Sequence, residues 1–266
     1  MINNKNHGGI IMNIGEIIND SIKYPLSNKR TFLFLGLIVI LGDLYSILGS
    51  TTHNSLIIIL GILALIFAFV RSGYLLRIME FSTTNNNILP KLNRWKDLFV
   101  NGLKVIVVTL VYVIPILIIV VPLSMIIAIT SISSGTNLAD TNMFKTFGLV
   151  SIIVGLYMVI IYPILFMSLA NMAKNGNNID KSFKFNVIKN TISNVGLGNF
   201  VIWYIFTGLI FVFLFIVGLG LSSIFNLVHF KFIGDLLASL TVTPFAMIFL
   251  YRSASLIYLN GSQVKT

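Results

Sequence analysis

Sixteen of the eighteen lysines and arginines in this chain lie in or beside alternate connections between six long apolar runs. Only Lys145 and Lys231 fall elsewhere. Positive residues close to the ends of membrane spans stay on the cytoplasmic side, so this sorting sets a topology as well as a class. It predicts that both termini are cytoplasmic and that His53, Thr136 and His229 lie outside. A chain folding in water gains nothing from segregating charge this way.

The runs cover residues 31–49, 56–76, 104–129, 146–170, 200–225 and 236–258. Each reaches roughly the 20 residues that a helix needs to cross a hydrocarbon core about 30 Å thick. Spanning β-strands would be shorter and alternate in polarity, and these runs do not. The expected fold is therefore all-α, an integral bundle of six transmembrane helices in a cell membrane. Residues 1–12 read as a flexible tail, with Met12 as an alternative start, and 13–266 as one polytopic domain. Hydrophobic residues make up 56% and charged residues 10%, far from the roughly one quarter charged of soluble domains. Absence of cysteine removes disulfides, thiolate nucleophiles and cysteine metal sites. The formal net charge of +10 is spread over four segments gathered on one membrane face, so anionic lipid headgroups are the expected partner and nucleic acid is not.

Three segments ahead of the outward-going spans carry apolar stripes at helical spacing. The first has Ile14, Ile17, Ile18 and Ile22 opposite Glu16, Asp20 and Lys23, with Asn13 as cap. The second has Leu92, Trp95, Leu98 and Phe99, closed at Gly102, and the third has Phe185, Ile188, Ile192 and Val195 beside Lys181, Lys184 and Lys189. Three cytoplasmic-side amphipathic helices follow. Such helices either lie in the lipid interface, with Trp95 toward acyl chains and Lys181, Lys184 and Lys189 toward phosphates, or pack on the ends of the spans. The stretches 83–87 and 175–178, rich in Asn, read as turn chemistry, and 131–142 as a flexible loop.

Two stretches resemble a known family. One is Met12-Asn13-Ile14-Gly15-Glu16-Ile17-Ile18 running on to Lys23-Tyr24-Pro25-Leu26. The other is Leu89-Pro90-Lys91, then Trp95-Lys96-Asp97-Leu98-Phe99-Val100-Asn101-Gly102-Leu103-Lys104, then Tyr112-Val113-Ile114-Pro115. Both are similar to the archaeal and bacterial membrane family catalogued as domain of unknown function 4013, and Tyr251-Arg252-Ser253-Ala254 is similar in a less specific way. The resemblance implies a multi-pass membrane protein and assigns no activity.

Ionisable groups inside a span are costly and draw a functional reading by default. Asp43 stands beyond the midplane of span one, facing the bundle or water. Arg71 is expected at a different depth and unpaired with it. Arg71 and Arg252 are expected to snorkel from near the cytoplasmic ends of spans two and six, or for Arg252 to meet Glu80, one of few acids at that depth. Gly218-Leu219-Gly220 lies in a span, where small residues serve close helix contact. The three histidines are scattered, and no P-loop, HExxH or catalytic relay is present. No catalytic, metal or cofactor-binding residues are assigned, and no cofactor is expected. Pro115, Pro122, Pro163 and Pro244 interrupt spans and shape the bundle, and Tyr112, Pro115, Tyr162, Pro163 and Pro244 are the candidate lining of a cavity. The leading expectation is a non-enzymatic membrane scaffold that interacts with lipids and other membrane proteins. The alternative is a small-solute transporter using that cavity.

Overall fold

A computed structural model describes residues 12–48, 54–84, 86–134 and 141–263. Every regular element among them is helical. The helices are α1 (Ile14–Lys23), α2 (Lys29–Leu48), α3 (Asn54–Thr83), α4 (Trp95–Ser134), α5 (Thr141–Lys174), α6 (Phe185–Val195), α7 (Leu197–Leu227), α8 (Lys231–Leu237) and α9 (Thr243–Gln263). Tight 3₁₀ turns occupy Tyr24–Asn28 and Ile179–Phe183, and a π-helical turn, Ala238–Val242, joins α8 to α9. Six stretches are long and apolar enough to cross a membrane: Ile14–Leu44, Ile57–Thr83, Trp95–Ile126, Val150–Lys174, Leu197–Leu227 and Lys231–Gln263. All but Val150–Lys174 are longer than the corresponding apolar runs, because the helices continue into polar residues at their ends. The chain is a polytopic membrane protein, and the apolar faces of α2, α3 and α7 that remain uncovered suit contact with acyl chains.

Met1–Ile106 together with Met167–Thr266 form one compact unit, and Val107–Phe166 form a second. In the first, α9 is the central post. It packs against α1, α2, α3, α6 and α7 and buries every residue from Arg252 to Leu259. Tyr24, Leu35, Tyr74, Ile78, Leu98 and Ile248 form a core beside it. The second unit consists of the distal parts of α4 and α5, where the Tyr157 hydroxyl donates to the Tyr112 carbonyl at 2.6 Å.

Helix α1 starts where its residues dictate. Asn13 accepts from the Glu16 amide and the Glu16 carboxylate accepts from the Asn13 amide, both at 2.9 Å, which satisfies two donors that the helix leaves open. Pro25 does not end the chain's helical course. It sits at the start of the 3₁₀ turn, where its missing N–H costs nothing. The second amphipathic segment departs from expectation. Trp95 begins α4, which runs 40 residues without a break at Gly102. That glycine serves a helix crossing: a Cβ on Gly102 would collide with the carbonyl oxygen of Phe69, and one on Gly73 with that of Leu98. Small residues in this reciprocal arrangement let α3 and α4 touch backbone to backbone.

The expected loop 131–142 is shortened by helix at both ends, with 135–140 outside the described residues. Residues 1–11, His53, Thr136 and the last three residues also lie outside them. Met12, expected in the tail, is fastened: its amide donates to Asn260 Oδ1 at 3.1 Å and its carbonyl accepts from Asn260 Nδ2 at 2.9 Å.

Candidate functional site: a basic end and a polar cavity

Arg252 is the most heavily engaged charge in the first unit. It is 1% exposed, and each nitrogen of its guanidinium has a partner. Nε donates to Asp20 Oδ1 at 2.7 Å, Nη1 to the Asn86 carbonyl at 2.8 Å and Nη2 to Asn87 Oδ1 at 2.9 Å. The Tyr24 ring lies 4.3 Å from the guanidinium carbon, so a π face covers the remaining side. Arg252 thus neither snorkels nor meets Glu80. The Met12–Asn260 hydrogen bonds draw α1 across the end of α9 and bring Asp20 to it, while Glu80 accepts from Asn177 Nδ2 at 2.9 Å instead. The sequence signal was present, since Asp20 lies on the polar face of α1, but it could be read only by knowing that this helix folds back on the bundle.

The segment between α3 and α4, of which only 83–87 reads as turn chemistry, is stitched down from Ile88 to Asn93. Ile88 and Pro90 carbonyls accept from Tyr24 and Tyr74 hydroxyls at 3.2 and 2.9 Å, and the Leu89 amide donates to Ser27 Oγ at 3.0 Å. Arg77, 9% exposed, gives its Nη1 to the Asn93 carbonyl at 2.6 Å, Asn93 Oδ1 at 3.1 Å and the Lys91 carbonyl at 3.3 Å. These contacts shape a cleft of about 790 Å³ whose charged lining is Arg77, Lys91, Arg94, Lys96, Lys104, Glu80 and Asp97. Trp95, between two of the cations, is 53% exposed.

A second concavity of about 430 Å³ gathers Lys174, Lys181 and Lys184 and contains no carboxylate. The Lys174 ammonium donates to Ser262 Oγ at 2.8 Å and lies 5.7 Å from the centroid of the Tyr258 ring. Lys189 is exposed on α6 and is not part of this lining. The apolar stripe of α6 is divided. Ile188 and Thr191 are buried against α9, where Gly261 abuts the Thr191 carbonyl, while Phe185 is left 58% exposed. Helices α1 and α6 therefore pack on the bundle and still present charge outward.

Further along the same unit, Asp43 lines a cavity of about 430 Å³ with Asp235, Ser222, Ser239 and Thr243 amid apolar walls. Ser239 Oγ donates to Asp43 Oδ2 at 3.2 Å, and Arg71 Nη1 is 3.7 Å from Asp43 Oδ1. The expectation that Asp43 and Arg71 stay apart is overturned. Helix α3 runs to Thr83, beyond the expected end of span two, and Gly42 faces Phe67 and Arg71 across the α2–α3 contact, so the two charges share a level. Gly218 lines this cavity and makes no close helix crossing, and Gly220 has open space beside it. The overlooked signal is the spacing of Asp235, Ser239 and Thr243, a polar stripe at every fourth residue in an apolar run.

Of the candidate cavity residues, Tyr112 and Pro163 are buried and Pro115 and Tyr162 exposed, all in the second unit. Pro244 is buried in the first, one residue past the lining residue Thr243. It has no N–H to offer the Leu240 carbonyl four residues back. The π turn spans that carbonyl, and Gly36 of α2 packs against it.

A family model described as "Protein of unknown function (DUF4013)" matches residues 56–223, more than half of the chain. No curated protein and no solved structure matches.

Proposed function

We infer, from the premise that the chain belongs to the DUF4013 family of proteins of unknown function, that it is a non-enzymatic membrane element whose basic end holds anionic lipid headgroups. The observation that carries this reading is the concavity in which Lys174, Lys181 and Lys184 converge without a carboxylate. Like charges brought together in this way raise one another's energy unless an anion neutralises them. A headgroup phosphate at the membrane surface supplies that anion, and each nearby cation strengthens the attraction. Exposed Trp95 adds the aromatic anchor common at lipid interfaces.

The experiment is native mass spectrometry of the full chain released from bilayers of mixed phosphatidylglycerol and phosphatidylcholine. Phosphatidylglycerol should be retained preferentially. Changing Lys181, Lys184 and Lys189 together to Gln should reduce that retention about tenfold in a salt-sensitive manner. Equal retention of the neutral lipid would overturn the reading. A second reading, solute binding or transport, is favoured by the cavity around Asp43 and Ser239, whose size and largely apolar lining suit a small ligand. A discrete copurifying solute in the same spectra, without lipid preference, would favour it.

We place the basic end, and with it both termini, on the cytoplasmic side of the cell membrane, on the strength of the charge sorting. The native chain has no cysteine, so single cysteines can be introduced at His229 and Lys184. An impermeant maleimide applied to intact cells should label the first and spare the second. The reverse pattern would invert the topology.

A further inference from the structure

We propose that the cleft between the end of α3 and the start of α4 binds a phosphate-bearing anion, with Arg77 as its buried donor. The proposal rests on the lipid-interacting reading of this face and adds a defined site to it. Arg77 is more than nine-tenths buried and lines the cleft. Its Nη1 holds three oxygens of Lys91 and Asn93, which fixes the plane of the guanidinium. Nε and Nη2 have no hydrogen-bond partner among the described residues. A guanidinium immobilised on one side with donors left on the other is prepared for an oxyanion, because little rotamer freedom remains to be lost on binding.

The surroundings agree in charge and in backbone. Five cations line the cleft against two carboxylates, Glu80 and Asp97; both carboxylates act on Arg77, and the cations still outnumber them. Lys104 Nζ is steadied by the Asn177 carbonyl at 3.0 Å. Arg94 has φ 55°, a left-handed backbone that a side chain this large rarely adopts. Its carbonyl accepts from the Asp97 and Leu98 amides at 2.9 and 3.1 Å, so it opens the 40-residue α4. The positive end of that helix dipole therefore lies beside the cleft. An excess of cations around a helix start is matched best by an anion carrying more than one charge, as a phosphate monoester does near neutral pH. Such a group could be a lipid headgroup or a small soluble phosphate.

The full chain is placed in phosphatidylcholine nanodiscs containing about one lipid in ten as phosphatidic acid, a monoester, or as phosphatidylglycerol, a diester. A third sample holds phosphatidylcholine alone with inorganic phosphate, matched in ionic strength by chloride. Retention is read by native mass spectrometry and stability by thermal melting. The expected result is retention of phosphatidic acid about tenfold above phosphatidylglycerol, with the preference lost in the double variant Arg94→Gln/Lys96→Gln. Both side chains are exposed, so the variant should fold, and Arg77→Lys, which keeps charge without the fork, should lose the preference as well. Stabilisation by inorganic phosphate over chloride, lost in the same variants, would support the site with a soluble phosphate as its occupant. Equal retention of the two lipids with no response to phosphate would overturn the proposal. If that equal retention is lost on changing Lys181 and Lys184 to Gln, the general lipid reading survives. Retention of neither anionic lipid above phosphatidylcholine, with no response to phosphate, would overturn both.

Discussion

Replacing Asp20 with alanine should destabilise the protein by about 3 kcal/mol, because it leaves the Arg252 charge buried without its carboxylate. The side chain of Arg252 is 2% exposed and that of Asp20 28%, so the two ends of the pair are not equivalent. With Asp20 gone, Arg252, itself 2% exposed, keeps only the neutral hydrogen-bond partners Asn86 and Asn87. With Arg252 gone, Asp20 can be hydrated where it stands, although Asn86 and Asn87 lose their donors. Arg252→Leu should therefore cost less through stranded charge and more through a loosened α3–α4 segment, and the double variant should lose less than the sum. Unfolding in mixed detergent micelles measures all three. Glu80→Gln serves as the contrast, since Glu80 meets Asn177 and not Arg252. Coupling of Arg252 to Glu80 and not to Asp20 would contradict the described geometry.

Enlarging either glycine of the α3–α4 crossing should be similarly damaging. Gly73→Leu or Gly102→Leu drives a side chain into an opposing carbonyl, and a backbone oxygen cannot rotate aside as a flexible side chain can. The two helices must separate, and Phe69 and Phe99, edge to face with centroids 5.1 Å apart, separate with them. We expect a loss of about 3 kcal/mol for each, the upper part of the usual range for overpacking. Gly61→Ala provides the control, because nothing lies within 4 Å of a Cβ there. Its stability should be unchanged or slightly raised through helix propensity. Comparable losses at Gly61 and Gly73 would mean that the cost does not come from the crossing.

These two sites show where sequence reasoning reaches and where it stops. Span number followed from hydropathy because the bilayer imposes a length on every crossing helix. The cap of α1 followed from Asn13 because capping is local, while the answering Glu16 carboxylate reads in sequence only as part of the polar face. Partnerships did not follow. Glu80 was matched to Arg252 by depth along parallel axes, whereas Asp20 reaches it through a helix that folds back, a relation with no local signature. Asp43 and Arg71 were separated by counting from the edges of apolar runs, and those edges understate how far α3 extends. Gly102 marks a crossing and not a helix end, a distinction set by the neighbouring helix. The cavity around Asp43 left a readable trace in Asp235, Ser239 and Thr243, but prolines drew the reading toward Tyr112 and Tyr162.

The position of Arg252 has a temporal consequence. Chains are synthesised from the amino end, and early segments fold or insert first. Asp20, Tyr24, Asn86 and Asn87 are made long before α9, so although Tyr24, Ser27, Tyr74 and Arg77 can already hold Ile88–Asn93, the groups that surround Arg252 must wait without it until the last span arrives. The final helix acts as a keystone: the basic end acquires its finished shape only when the sixth span is in place.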